Sequence, residues 1–192
     1  MGYLSHAGLV VMVTDFQNAT NRDVLARNMA LSNFNSYNGL DTDDDSAFYH
    51  MLNNVLLYGH VLKSDFSGHD IEYEGDLGVF TAQSNQYQAV SPAHTNALHN
   101  SVFISEHDGD VLFSLTGATC NQTSVPGSAG SGDFPRIANL KVYSPTGTVT
   151  LCGESIVAME ARGMIKNVTT APLSDLSAAS VVARAKVTLG VV

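Results

Sequence analysis

The sequence predicts a mainly β fold, a β-sandwich or jelly-roll-like barrel with an N-terminal strand and two helices. Three observations lead there. Ser101–Leu115 has the pattern of a hairpin: Val102, Phe103 and Ile104 climb to Asp108-Gly109, and Val111, Leu112, Phe113 and Leu115 return. Asp-Gly between β-branched and aromatic runs suits a tight turn that needs positive φ at both central residues. From Val61 to Val192, about eight to ten short apolar runs follow one another, with turn residues about every eight to twelve positions. Finally, the chain end alternates. Val181, Ala183, Ala185, Val187, Leu189 and Val191 fall on one side, and Val182, Arg184, Lys186 and Thr188 on the other. That pattern places a regular strand inside a sheet.

In chain order, Leu9–Thr14 is a Val-rich run that reads as a buried strand. Thr20–Asn33 reads as a helix, with Thr20 as N-cap, Asp23 in the first turn, and Val24, Leu25, Met29 and Leu31 as apolar positions. Asn33–Gly39 is a loop by its Asn and Gly content. Asp43–Tyr58 reads as the second helix. Asp43, Asp44 and Asp45 load its N-terminus, Gly59 closes it, and Phe48, Leu52, Val55 and Leu56 share a face at helical spacing. The chain therefore divides into an N-terminal helical segment, 1–59, packed on or extending from a β domain, 60–192.

Within the β domain, Val61–Leu62, Ile71–Tyr73 and Leu77–Ala82 are strand candidates, and Ser84–Asn100 is a polar loop. After the Ser101–Leu115 hairpin, Asn121–Asp133 is a Gly/Ser-rich loop. Ile137–Tyr143 and Thr148–Cys152 form a second hairpin around Ser144–Gly147. Ser155–Ala161 and Met164–Thr169 form a third pair, with Gly163 at a turn or bulge.

Composition narrows the function classes. The chain has 192 residues, a formal net charge of −9 and only 9 Lys and Arg. With no basic patch, it lacks the electrostatic footprint for a phosphate backbone or an anionic membrane surface. Charged residues make up 14%, well below the usual share, and Ser, Thr, Asn, Gly and Ala replace them. A neutral, small-residue surface suits either a subunit covered by its neighbours or an acidic domain with neutral loops. The apolar run Gly8–Val13 is too short to span a bilayer and has no basic residue before it, so no signal peptide or membrane span is expected. Cys120 and Cys152 are the two cysteines. They either pair across adjacent strands or stay as buried thiols, and free thiols are the expectation. The sequons at Asn18, Asn121 and Asn167 are as many as an Asn-, Ser- and Thr-rich chain shows by chance.

No catalytic motif is present. There is no G-x-S-x-G elbow, no P-loop, no Cys/His zinc cluster and no H-E-x-x-H. Glu72 and Glu74, two apart on a strand, share a face, with no sign of a cleft. No metal site is assigned. Asp41, Asp43 and Asp45 copy the first ligand positions of a calcium loop, but Ser46 stands where Gly is needed and Leu52 where the bidentate Glu belongs. His107, Asp108 and Asp110, beside Glu106, cluster at the expected hairpin tip without a converging partner. His6, His50, His60, His69, His94 and His99 read as surface or loop histidines.

In composition and strand spacing over Val61–Val192, the chain resembles the small single-jelly-roll coat proteins of icosahedral viruses. The resemblance has no signature motif, so no family residue is carried over. It implies a self-assembling structural protein, a capsid or virion subunit without catalytic activity or cofactor. Such a subunit would sit in the virion after assembly in the host cytoplasm. Its partners would be copies of itself and other structural subunits, without direct nucleic-acid contact or membrane insertion. The alternatives are a decoration or tail protein of a tailed virus, or a secreted or surface lectin-like β-sandwich. Against the last, Trp is absent, and Tyr37, Tyr87 and Phe134 are the few loop aromatics.

Overall fold

The computed structural model describes residues 22–31, 38–42, 48–59, 61–64, 70–80, 87–89, 96–110, 114–115 and 134–191. The chain winds in rungs that stack on one another. The first rung holds β1 (Asp23–Ala26), β2 (Met29–Leu31) and β3 (Asn38–Thr42), and the second β4 (Tyr49–Leu52), β5 (Val55–Gly59) and β6 (Val61–Ser64). The third holds β7 (Glu72–Glu74), β8 (Leu77–Phe80) and β9 (Tyr87–Ala89). The next holds β10 (Ala97–His99), β11 (Val102–Ser105), β12 (Gly109–Asp110) and β13 (Ser114–Leu115). Then come β14 (Arg136–Ser144), β15 (Val149–Leu151), β16 (Glu154–Ser155) and helix α1 (Ile156–Ala161). The last rung is β17 (Ile165–Pro172), followed by a single 3-10 turn, Leu173–Asp175, and helix α2 (Ala178–Leu189).

Each strand pairs in parallel with its counterpart one rung away. The only antiparallel pair among the described residues is β15 with β16. The main sheet has ten strands in the order β1-β4-β7-β10-β14-β11-β8-β5-β2, with β17 also on β14. The nine-residue β14 runs round the corner and so joins the first face to the second. A third side is built from β13, β9, β6 and β3. This is a parallel β-solenoid.

The corner between the first two faces shows how the sequence makes the winding possible. Arg27, Asn53, Gly75, Asn100, Asn139 and Asn167 occupy it, and all have positive φ. Asn tolerates this left-handed conformation better than most residues because its short amide finds local partners. At Gly75, φ 71°, an added Cβ would meet the Asn53 side chain, which would have to move aside, so glycine suits the position. The amides then stack. Asn167 Nδ2 donates to Asn139 Oδ1 at 3.0 Å, and Asn139 Nδ2 donates to Asn100 Oδ1 at 3.1 Å. One residue further on, Asn54, Asp76 and Ser101 form a buried polar ladder. Asp76 N–H donates to Ser101 Oγ at 3.0 Å, and Asn54 N–H to Asp76 Oδ1 at 2.7 Å.

Alternation decides what goes inside. On the first face Leu25, Met51, Tyr73, Leu98, Ile137 and Ile165 stand in one inward column, all buried. On the second face Leu56, Phe103 and Val142 do the same. The second face is apolar on its outside as well, and α2 lies over it. Val181, Ala185 and Leu189 of the helix pack on Val55, Leu77, Ile104 and Tyr143. Parallel sheets are normally covered on both sides. Here the second face is covered, and the first has no element over it among the described residues.

The structure overturns the β-sandwich or jelly-roll barrel. The strand content was legible, but the turns lead to parallel neighbours one rung away and not to antiparallel hairpins. The helices expected over Thr20–Asn33 and Asp43–Tyr58 are, in their described parts, β1 with β2 and β4 with β5. A two-residue corner between two strands shifts the period-2 alternation, so the apolar positions fall three and four apart and mimic a helix. The terminal strand expected over Val181–Val192 is the inverse case. Its residues 181–189 lie in α2, which is capped by Ser177 and Ser180 in a reciprocal box and closed by Gly190 at φ 69°. Val181, Ala185 and Leu189 fit period 2, but they also stand four apart.

Among the described residues the Ser101–Leu115 segment forms no hairpin. Gly109 does have positive φ, but β12 pairs in parallel with β15. The turn at Ser144–Gly147 exists, with Gly147 N–H on Ser144 O at 3.2 Å, yet β14 and β15 enter different sheets. Ser155 does not open a strand but caps α1, its hydroxyl accepting from Ala158 N–H. Met164–Thr169 is a strand as expected, though paired in parallel. Ser84–Asn100 contains β9 and β10. Cys152 is disulfide-bonded, against the expectation of free thiols. Leu9–Thr14, Asp43–Asp45, Val111–Phe113, Cys120 and Asn121–Asp133 lie outside the described residues. No helix of the described residues is long and apolar enough to cross a membrane.

Candidate functional site

The uncovered first face carries one concentrated group of ionisable side chains. It follows from three short strands in parallel register. In β7, Tyr73 points inward, so Glu72 and Glu74 both point out. In β4, Tyr49 and Met51 are buried and His50 points out. In β10, Leu98 is buried and His99 points out. Register places His50 beside Glu72 and His99 beside Glu74. The hydrogen bonds then cross on the diagonal, a distance that long side chains span. His50 Nε2 lies 3.0 Å from Glu74 Oε2, and His99 Nε2 lies 2.7 Å from Glu72 Oε1.

Each carboxylate thus presents one oxygen to a histidine, and its other oxygen is held from outside. Glu72 Oε2 is ion-paired with Arg22. Glu74 Oε1 accepts from Asn100 Nδ2 at 3.1 Å. The same Asn100 amide meets His99 Nδ1 at 3.0 Å. Asn100 is the end of the corner ladder, so Asn167, Asn139 and Asn100 pass one donor direction along the solenoid to this cluster. The four side chains are 21–31% exposed, half sunk in the face. Burial works against the charge on Glu72. The His99 hydrogen bond and the Arg22, His50 and His99 charges outweigh it and hold the carboxyl below its ordinary value. Glu72 is therefore a fixed anion near neutral pH and unsuited to donate a proton.

The sequence-level candidates fall elsewhere. Asp108 sits on a turn, where its Oδ1 accepts from the Ser144 hydroxyl at 2.6 Å and from Thr146 N–H at 3.1 Å. Its Oδ2 accepts from the Thr146 hydroxyl at 3.0 Å. The Ser144 hydrogen bond leads the effects that lower its pKa. Asp110 accepts from the Thr150 hydroxyl and from Gly153 N–H. His107 Nδ1 meets the Ser105 hydroxyl at 3.2 Å. Asp108 and Asp110 tie one rung to the next, while His107 bonds within its own. Asp41 lies in β3, and Asp43 and Asp45 lie outside the described residues. Glu72 and Glu74 share a face, as their spacing predicts. The alternation of strands would also have sent His50 and His99 outward. Only the rung-to-rung register brings them to the two carboxylates.

Fold and site together define a parallel β-solenoid with a histidine–carboxylate cluster on its open face. No protein-family model matches the chain, and neither a curated protein nor a solved structure was found to be similar to it.

Proposed function

We propose that this chain is a structural subunit without catalytic activity, docking through its first face on copies of itself and on other structural subunits. The observation that carries this reading is the contrast between the two faces. A helix covers the second, while the first presents a flat parallel sheet with no cover among the described residues. Around the histidine–carboxylate cluster Val24, Ala26, Leu52 and Ala138 point outward, Val24 being 57% exposed, and the exposed Arg136 and Lys166 stand on the later strands of the same face. Such a surface fits burial against a neighbour better than permanent contact with water. The Cys152 disulfide suits an oxidising setting, of which a virion surface is one.

Light scattering with negative-stain imaging, at low and high salt, tests the proposal. Discrete oligomers or fibres are expected at both salts, because the ion pairs of this face close within one chain and the apolar outward residues supply the contact between chains. Leu52→Lys should reduce them to the single chain. A clean monomer at every concentration and salt would remove the proposal.

A further inference from the structure

The chemistry of the same cluster goes further than a docking face. We propose that His50, Glu72 and Glu74 form a binding site for a divalent transition-metal ion of the zinc class. Three ligand atoms, one from each residue, lie within 4.8 Å of one another. A tetrahedral ion about 2.1 Å from each ligand holds its ligands roughly 3.4 Å apart. Side-chain rotation of these half-exposed groups closes that gap without backbone movement. A ring nitrogen beside two carboxylate oxygens is a donor set that suits zinc-class ions, whereas calcium and magnesium call for about six or more ligands, all oxygen.

The partners around the cluster decide who is a ligand and who positions one. Arg22 and Asn100 occupy the far oxygens of Glu72 and Glu74, which turns the near oxygens toward the histidines. This is the outer-shell arrangement that fixes carboxylate ligands. His99 is not a ligand here. The Asn100 amide donates to its Nδ1, so the ring proton sits on Nε2 and faces Glu72 Oε1. Asn139 Nδ2 on Asn100 Oδ1 fixes that amide orientation. His99 therefore positions Glu72. His50 Nε2 against Glu74 Oε2 is free to exchange its shared proton for an ion. Three protein ligands leave at least one coordination position open to solvent, on the outside of the sheet. With both histidines neutral, two carboxylates against one arginine leave the cluster net negative, which favours a cation. The ion would clamp β4 to β7 across the rung spacing.

The inference stands apart from the docking proposal, since a single chain supplies every ligand. The test uses the purified full chain without a histidine tag, washed with chelator and titrated with Zn²⁺ and with Co²⁺ by calorimetry and visible absorption. One saturable site per chain is expected, with Ca²⁺ and Mg²⁺ unable to compete at a hundredfold excess. His50→Gln and Glu74→Gln should each weaken binding by about a hundredfold. His99→Gln should weaken it by about tenfold, as outer-shell changes do. Glu154→Gln, in a distant surface ion pair with Arg162, should leave it unchanged. Circular dichroism checks that each variant keeps its fold. Absence of a saturable site overturns the proposal, as does equal binding by the folded His50→Gln and Glu74→Gln chains, or full competition by Ca²⁺.

Discussion

Asp76 lies at the centre of the buried corner ladder, and replacing it with Asn tests the energetics of the solenoid most directly. Its side chain is fully buried. Oδ1 accepts from Asn54 N–H at 2.7 Å and from Asn54 Nδ2 at 3.2 Å, while Oδ2 has no partner among the described residues. Burial pushes its pKa up from 3.8 to about 8, with the Asn54 hydrogen bonds opposing and the nearby Glu74 charge adding to the rise. Between those values the folded chain holds a proton that the unfolded chain has released. Stability from this group is therefore complete below about pH 4 and is lost as pH rises toward 8. A gap of about four pH units corresponds to a loss on the order of 5 kcal/mol. Asn keeps the Oδ1 acceptor, has the same shape and does not titrate. Its amide leaves a donor unpaired where Oδ2 stood, at a cost of about 1–3 kcal/mol. Urea unfolding of both chains at pH 4.5, 6, 7.5 and 8.5 separates the terms. Asp76→Asn should be equal to or slightly less stable than the parent at pH 4.5, and more stable by several kcal/mol at pH 8.5. A difference between the two chains that is constant with pH would refute the reasoning, because Asp76 would then not change protonation on unfolding.

Three further outcomes follow from the same geometry. Asn139→Ala puts a Cβ-bearing residue without local partners at φ 54° and breaks two ladder bonds, so it should cost about 2 kcal/mol in denaturant unfolding, with Asn139→Gly costing less. Glu160 of α1 accepts the Val168 N–H of β17 at 2.9 Å and so covers part of the outer edge of the last strand. Glu160→Ala should lower stability by about 1–2 kcal/mol and raise concentration-dependent association, read by light scattering, since an opened edge recruits strands. Reducing the Cys152 disulfide should lower the unfolding free energy by about 2–4 kcal/mol, and a melting temperature unchanged by reductant would contradict this.

Much of this protein was legible without coordinates. Alternation in Glu72-Tyr73-Glu74 decides which side chains enter the core and which face out, whatever sheet the strand joins, whereas Tyr49-His50-Met51 reads as part of a helix and its alternation is missed. The helices at Ile156–Ala161 and Ala178–Leu189 read as strands, but the strands at Leu77–Phe80, Val102–Ser105 and Arg136–Ser144, the turn at Ser144–Gly147 and the positive φ at Gly109 were local properties as well. Neighbour identity was not. An apolar strand looks the same whether its partner is antiparallel and a few residues away or parallel and a full rung away. The ladder partners, from Asn28 N–H on Asn54 Oδ1 onward, lie 26, 22, 25, 39 and 28 residues apart, and such unequal spacing hides the repeat from inspection. The corner residues, mostly Asn, were present as a signal, but they carry meaning only once each is known to stack on the last. For the same reason the candidate site was invisible as a motif. His50 and Glu74 are 24 residues apart, and Glu72 and His99 are 27. Sequence alone puts Glu72 and Glu74 on one strand face and reads His50 and His99 only as surface or loop histidines. Only the stacking of parallel rungs, each about 4.8 Å from the next, brought them together.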